Sequence, residues 1–179
     1  MKKLILAVLL LSAFAYGQRD QVLADWPKDN TIELIMVNWY EGLASYAELH
    51  SMDDVIATGG DSVDIKMTDW EIGTYKNTTP DTTGNIIMTM AGVYKVAWSA
   101  SFSHSVVNTV CHVHPFKNST HLDNIEAERK LGTPGDVGNM GSVGLVTVAV
   151  GDTLTLRVSG NKSGNITVSH SNFSIVRLR

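Results

Sequence analysis

From about residue 60 onward, apolar and polar positions alternate with a period of two. The alternating runs are rich in β-branched residues and are bounded by clusters of Gly, Asn, Asp and Ser. A period of two places successive side chains on opposite faces of an extended strand. The pattern predicts eight strands, over 63–67, 86–90, 93–103, 106–113, 142–150, 153–159, 166–170 and 173–178. Within 93–103, Tyr94, Val96, Trp98, Ala100 and Phe102 fall on one face, which is read as core. Lys95, Ser99, Ser101 and Ser103 fall on the other, wetter face. Gly151-Asp152 separates two strands and 161–164 another pair, which predicts tight reversals. With no long amphipathic helix pattern in this part, the predicted class is all-β and antiparallel.

Upstream the pattern is less regular. Residues 31–40 score as a strand, and a short apolar run also fits a buried helix, although Trp26-Pro27 argues against helix at that point. Residues 18–42 are read as an N-terminal arm ahead of a domain over 43–179. Trp26, Trp39, Tyr40 and Trp70, in the arm or near it, are the candidate partner contacts. Residues 1–17 read as a signal peptide. Lys2 and Lys3 form a basic start, 4–11 is an apolar run of eight, and small residues follow at cleavage spacing, with a cut after Ala15 or, preferred, after Gly17. Residues 4–16 are too few for a stable membrane span, which needs about 20 residues. Without a cysteine at the cleavage point, a bacterial lipid anchor is excluded.

Composition narrows the function classes. The 179 residues suffice for one ordinary core, and a formal net charge of −4 argues against a nucleic-acid partner held by counterion release. Charge is uneven: 20–81 carries thirteen acidic residues against three lysines, whereas 82–179 carries five against eight basic ones. A solvated acidic surface accounts for that asymmetry. A single cysteine, Cys111, rules out an internal disulfide framework and multi-cysteine zinc sites.

The Gly92-Val93-Tyr94-Lys95-Val96 opening of a long strand, Lys117-Asn118 after a second strand, and the stretch 144–158 with its Gly151-Asp152 turn resemble the globular head of complement component one-q and its tumour-necrosis-factor-like relatives. The closing Phe173-Ser174-Ile175-Val176-Arg177-Leu178 fits the same pattern, so the resemblance covers about 46–179. The stretch 124–130, followed by Gly135-Asp136-Val137-Gly138, is similar to versions found in tailed-bacteriophage virion proteins and their bacterial counterparts. The resemblance implies a two-sheet jelly-roll sandwich that forms homotrimers and works by binding. No collagen-like Gly-x-y stalk is present, so only the architecture carries over from the vertebrate proteins.

Candidate chemistry is sparse. His112 and His114 lie two apart on a predicted strand and project to one face, with Cys111 and Val113 on the other. Three such pairs around a threefold axis would offer six nitrogens to a transition-metal ion; the alternative is two surface histidines beside Pro115. No carboxylate adjoins them in sequence to orient the rings. His50, His104, His121 and His170 are scattered, with His104 and His170 expected on solvent faces. Cys111 reads as a small buried hydrophobe. Glu126 and Glu128 share a face if their segment is extended, and 132–136 is a loop, not a phosphate cradle. No Gly-x-Ser-x-Gly, His-Glu-x-x-His or phosphate-loop motif occurs, so a non-enzyme is expected. Five Asn-x-Ser/Thr sequons, at Asn77, Asn118, Asn161, Asn165 and Asn172, are read as turn composition.

Three readings follow. The first is a trimeric jelly-roll structural or receptor-binding protein of a virion fibre or decoration, its partners being virion proteins or a cell-surface glycan or receptor. The second is a secreted bacterial carbohydrate-binding or adhesion module. Both place the protein outside the cell or on a particle. The third, a metal-assisted hydrolase, rests on His112 and His114 alone and needs a further carboxylate or histidine near them, with an open coordination position.

Overall fold

The structure, a computed structural model, describes residues 43–179. The signal peptide and arm, with Trp26, Trp39 and Tyr40, lie outside the described residues. The chain forms β1 (Tyr46–Gly59), β2 (Ile65–Lys66), β3 (Glu71–Lys76), β4 (Thr78–Pro80), β5 (Ile86–Met88) and β6 (Gly92–His104). It continues with β7 (Thr109–Lys117), β8 (Thr120–His121), a 3-10 turn over Asp123–Ile125, β9 (Ala127–Leu131), β10 (Gly138–Val148), β11 (Thr153–Gly160) and β12 (Ser163–Arg177). One sheet has five strands in the order β10-β6-β12-β1-β3. The other has seven, β4-β5-β11-β7-β8, with β2 added on β11 and β9 on β7. All pairings are antiparallel. Among the described residues no helix is long and apolar enough to cross a membrane.

The core lies between the two sheets, filled from the inward positions of both. Tyr94, Val96, Trp98, Ala100 and Phe102 of β6 are buried as their alternation predicts, against Phe173 and Ile175 of β12 and Leu154, Leu156 and Val158 of β11. Cys111 and Val113 of β7 join them, and burial pushes the Cys111 thiol up to about 11. Each large apolar side chain removed from water here contributes roughly 1.5–3 kcal/mol.

Two features of the fold differ from the sequence pattern. The predicted strands 166–170 and 173–178 are one strand, β12, whose register against β6 shifts between Val168 and His170. Ile166 and Val168 point inward before the bulge, and Ser171, Phe173 and Ile175 after it, so the alternation changes phase and reads as two runs. Its neighbour β1 follows β12 in unbroken register and changes phase with it, near Asp53 at φ 59°. The reversals at Gly151-Asp152 and at 161–162 carry the chain between sheets, β10 to β11 and β11 to β12, and so close no hairpin within one sheet.

Two side chains placed at the surface by sequence are buried. Trp70, a candidate partner contact, is 3% exposed; its indole N–H donates to the Met67 carbonyl at 2.9 Å and its ring packs near Phe173. Its polar atom is satisfied inside the chain, which frees the ring to act as core. His104 is 1% exposed at the end of β6. Its Nδ1 accepts the Val106 N–H at 2.9 Å, so Nε2 carries the proton and faces the Thr58 hydroxyl at 3.3 Å. Burial lowers the His104 pKa, and Lys162 adds to the depression.

Candidate metal centre

The outward side of β7 carries the site, and a break in the neighbouring strand builds it. β8 and β9 run along the same flank of β7, opposite Phe116–Lys117 and Thr109–Val113 respectively. Between them, 122–126 leaves the ladder beside His114 and Pro115. Pro115 marks the break. Its carbonyl accepts the Leu122 N–H at 3.1 Å, and in an extended strand the missing N–H points to that same flank, where no regular ladder needs it.

The segment in the break is anchored from inside. Ile125 is fully buried in the core, and the Trp98 indole N–H donates to its carbonyl at 2.8 Å. Gly144 leaves room for it: a Cβ there would meet Ile125 Cγ1 at 2.7 Å. With Ile125 turned inward, Glu126 projects outward over β7.

Three imidazoles and four carboxylates then converge. His114, 4% exposed, holds Asp64 Oδ1 at 2.5 Å through Nε2. His121 Nδ1 lies 2.8 Å from Asp123 Oδ1. An ionised carboxylate only accepts, so each of these ring nitrogens carries a proton; in a neutral imidazole the opposite nitrogen then holds the lone pair. Those opposite nitrogens, His114 Nδ1 and His121 Nε2, are buried and make no hydrogen bond. Both face Glu126, at 3.6 Å from Oε1 and from Oε2 respectively. One donor atom each from His114, His121 and Glu126 lies within 4.8 Å of the others.

His112 completes the arrangement. Its Nδ1 donates to Glu126 Oε1 at 2.8 Å, with Glu128 Oε2 at 3.9 Å. Burial alone would raise the Glu126 pKa; the His112 hydrogen bond and the three imidazoles outweigh it and hold the carboxyl below its usual range. Phe116 stacks on His121 across the strand pair, and the Arg157 guanidinium carbon lies 4.0 Å from the centroid of the Phe116 ring.

His112 and His114 therefore share a face, as their spacing predicts, with ring centroids 6.3 Å apart. Their roles divide: His112 hydrogen-bonds the glutamate, and His114 is covered by its own chain. His121, Glu126, Asp64 and Asp123 were not singled out as site residues. The short run His121-x-Asp123-x-x-Glu126 was a usable signal; Asp64, fifty positions from His114, gave none.

Comparison with solved structures identifies the architecture. Eiger, a TNF of S. frugiperda, superposes with a TM-score of 0.55 at 14% identity, over 75% of this chain and 94% of that one. Murine APRIL at pH 5.0 gives 0.54 at 14% identity over 75% and 99%, and at pH 8.0 it gives 0.51 at 13% over 74% and 99%. The fold is a TNF-like jelly roll. No protein-family model matches the chain, and no curated protein does.

Proposed function

We propose that the chain is a non-enzymatic, homotrimeric jelly-roll protein that works by binding outside the cell or on a particle. The observation that carries the trimer is the outward face of the five-stranded sheet. Leu145, Lys95, Val176 and Tyr46 stand side by side across β10, β6, β12 and β1, and Val143, Ala97, Ser174 and Glu48 form the next row. Val143, Leu145 and Val176 are about half exposed, as are Met52 and Val55 further along β1. The row after that, Gly141, Ser99, Asn172 and His50, is polar. On the seven-stranded sheet the one exposed large apolar strand residue among those described is Ile87. Apolar surface gathered on one sheet of a jelly roll is what symmetric self-association covers.

A virion fibre or decoration is the setting supported by the sequence resemblance of 124–138, and the ligand is then a cell-surface glycan or receptor. The second setting, a secreted adhesion module, uses the same fold. Light scattering after size exclusion tests the reading. A mass three times that of the chain supports it, and a monomer at micromolar concentration rejects it.

A further inference from the structure

We infer that His114, His121 and Glu126 bind one divalent transition-metal ion per chain, of the zinc(II) class. The inference concerns a site within one chain and is independent of the trimer.

The donors are arranged as a metal site arranges them. Buried polar atoms in native proteins nearly always have partners, so two orphaned nitrogens side by side call for one. His114 Nδ1 and His121 Nε2 are such a pair, and they face opposite oxygens of one carboxylate. Each ring is fixed through its other nitrogen by a separate carboxylate, Asp64 and Asp123, which is the usual outer support of a metal-bound histidine. Glu126 has its own support in His112. A cluster held only by ion pairs would turn N–H groups toward Glu126 at hydrogen-bonding distance, and the 3.6 Å separations do not close such bonds.

The donor set selects the ion. Two imidazoles and a carboxylate suit zinc(II), cobalt(II), nickel(II) or copper(II), whereas calcium and magnesium want oxygen alone. Thiolate is absent because Cys111 points to the opposite face of β7. Bonds of about 2.0–2.2 Å place tetrahedral donors about 3.4 Å apart, and the two nitrogen–oxygen separations here are 3.6 Å, so binding asks for only a small inward movement. His121 and Glu126 flank the strand break and supply that movement, while His114 sits in the continuous strand. Three protein donors leave a fourth position on the solvent side, where His121 and Glu126 are partly exposed. A bound ion clips the segment 120–126 onto the seven-stranded sheet.

The test uses the full chain purified without a histidine tag, stripped by chelator and titrated with cobalt(II) and zinc(II) by calorimetry and visible absorption. We expect one ion per chain, a cobalt spectrum of low-coordinate intensity displaced by zinc, and a rise in Tm at about 100 µM zinc. His121→Asn and Glu126→Gln should each weaken zinc by at least tenfold while the metal-free Tm stays close to wild type. His112→Gln and Asp123→Asn, which alter only supporting groups, should weaken it by about 10–100-fold. Asp123→Asn also serves if a ligand variant fails to fold, since Asp123 is largely exposed. Absence of binding at about 100 µM zinc by a folded wild-type chain overturns the proposal. So does one ion per three chains that is lost in His112→Gln and kept in His121→Asn, which would put the ion on an axis between copies.

Discussion

The two sheets have similar insides and different outsides. Between them, Leu49, Trp98, Phe102 and Phe173 from the five-stranded sheet meet Val113, Leu154, Leu156 and Val158 from the other in one apolar core. Outside, the five-stranded sheet shows half-exposed Val143, Leu145 and Val176 on β10 and β12. The seven-stranded sheet shows histidines and carboxylates under a folded segment at a strand break. The inside decides the fold, since it must be apolar and tightly packed. The outsides are free to differ, and chemistry accumulates where the ladder is interrupted and polar groups can gather.

Trp98 joins the two regions, and changing it gives the largest expected effect. Trp98→Ala should lower stability by about 3–5 kcal/mol, through a cavity and loss of the bond to the Ile125 carbonyl. Trp98→Phe should retain most of the packing yet release 122–126, seen as faster amide exchange there than in β10 and β12. Equal exchange changes in both regions would mean that the indole N–H does not hold the segment.

The outer faces separate next. Leu145→Asp combined with Val143→Asp should convert an assembled protein to monomer with only a small change in the unfolding midpoint of the chain. Ile87→Asp, on the other sheet, should leave the mass unchanged. If Ile87→Asp dissociates the protein and the β10 pair does not, the sheets have been given the wrong parts.

How much of this could be read from sequence follows from the same contrast. β6 was legible because its inward set, Tyr94 to Phe102, is apolar without interruption over five alternate positions. β1, the longest strand after β12, was not, because its inward face includes Ser51 and Thr58 and its phase changes near Asp53. The reversal at Gly151-Asp152 was visible, Gly151 lying at φ 88°, but a turn's residues do not tell whether the next strand joins the same sheet. His112 and His114 were legible as a same-face pair from spacing. Their partners were not, because Asp64 reaches His114 through β2, and Glu126 through a bulged segment whose direction is set by Ile125.

His104 gives a smaller effect with a defined sign. Its pKa in the fold lies below the ordinary 6.5, so the unfolded chain takes up the proton first as pH falls. Stability contributed by the neutral ring is therefore present above about pH 6.5 and declines below it, until the folded-state imidazole itself titrates. His104→Gln should be less stable than wild type at pH 7.5, and the gap in urea midpoint should narrow toward pH 5.5. A gap independent of pH would mean that the buried ring does not resist protonation.

Cys111 offers the smallest perturbation and a probe of whether the broken edge weakens the strand beside it. The thiol is buried on the inward face of β7, directly opposite the face that carries His112 and His114, and burial holds its pKa at about 11. At pH 8 only about one thiol in a thousand is ionised in the folded chain, and that one is covered, so a thiol reagent must wait for an opening. Cys111→Ala should cost only about 1 kcal/mol, in line with removal of one small buried group. Labelling that follows global unfolding, with a rate rising in step with urea, would show that β7 is as firmly held as the ladders of the five-stranded sheet. Labelling much faster than unfolding would show that β7 opens locally at the β8–β9 break. In that case zinc should slow the labelling of wild type and leave His121→Asn unaffected, because the ion would close the one gap through which the strand is released.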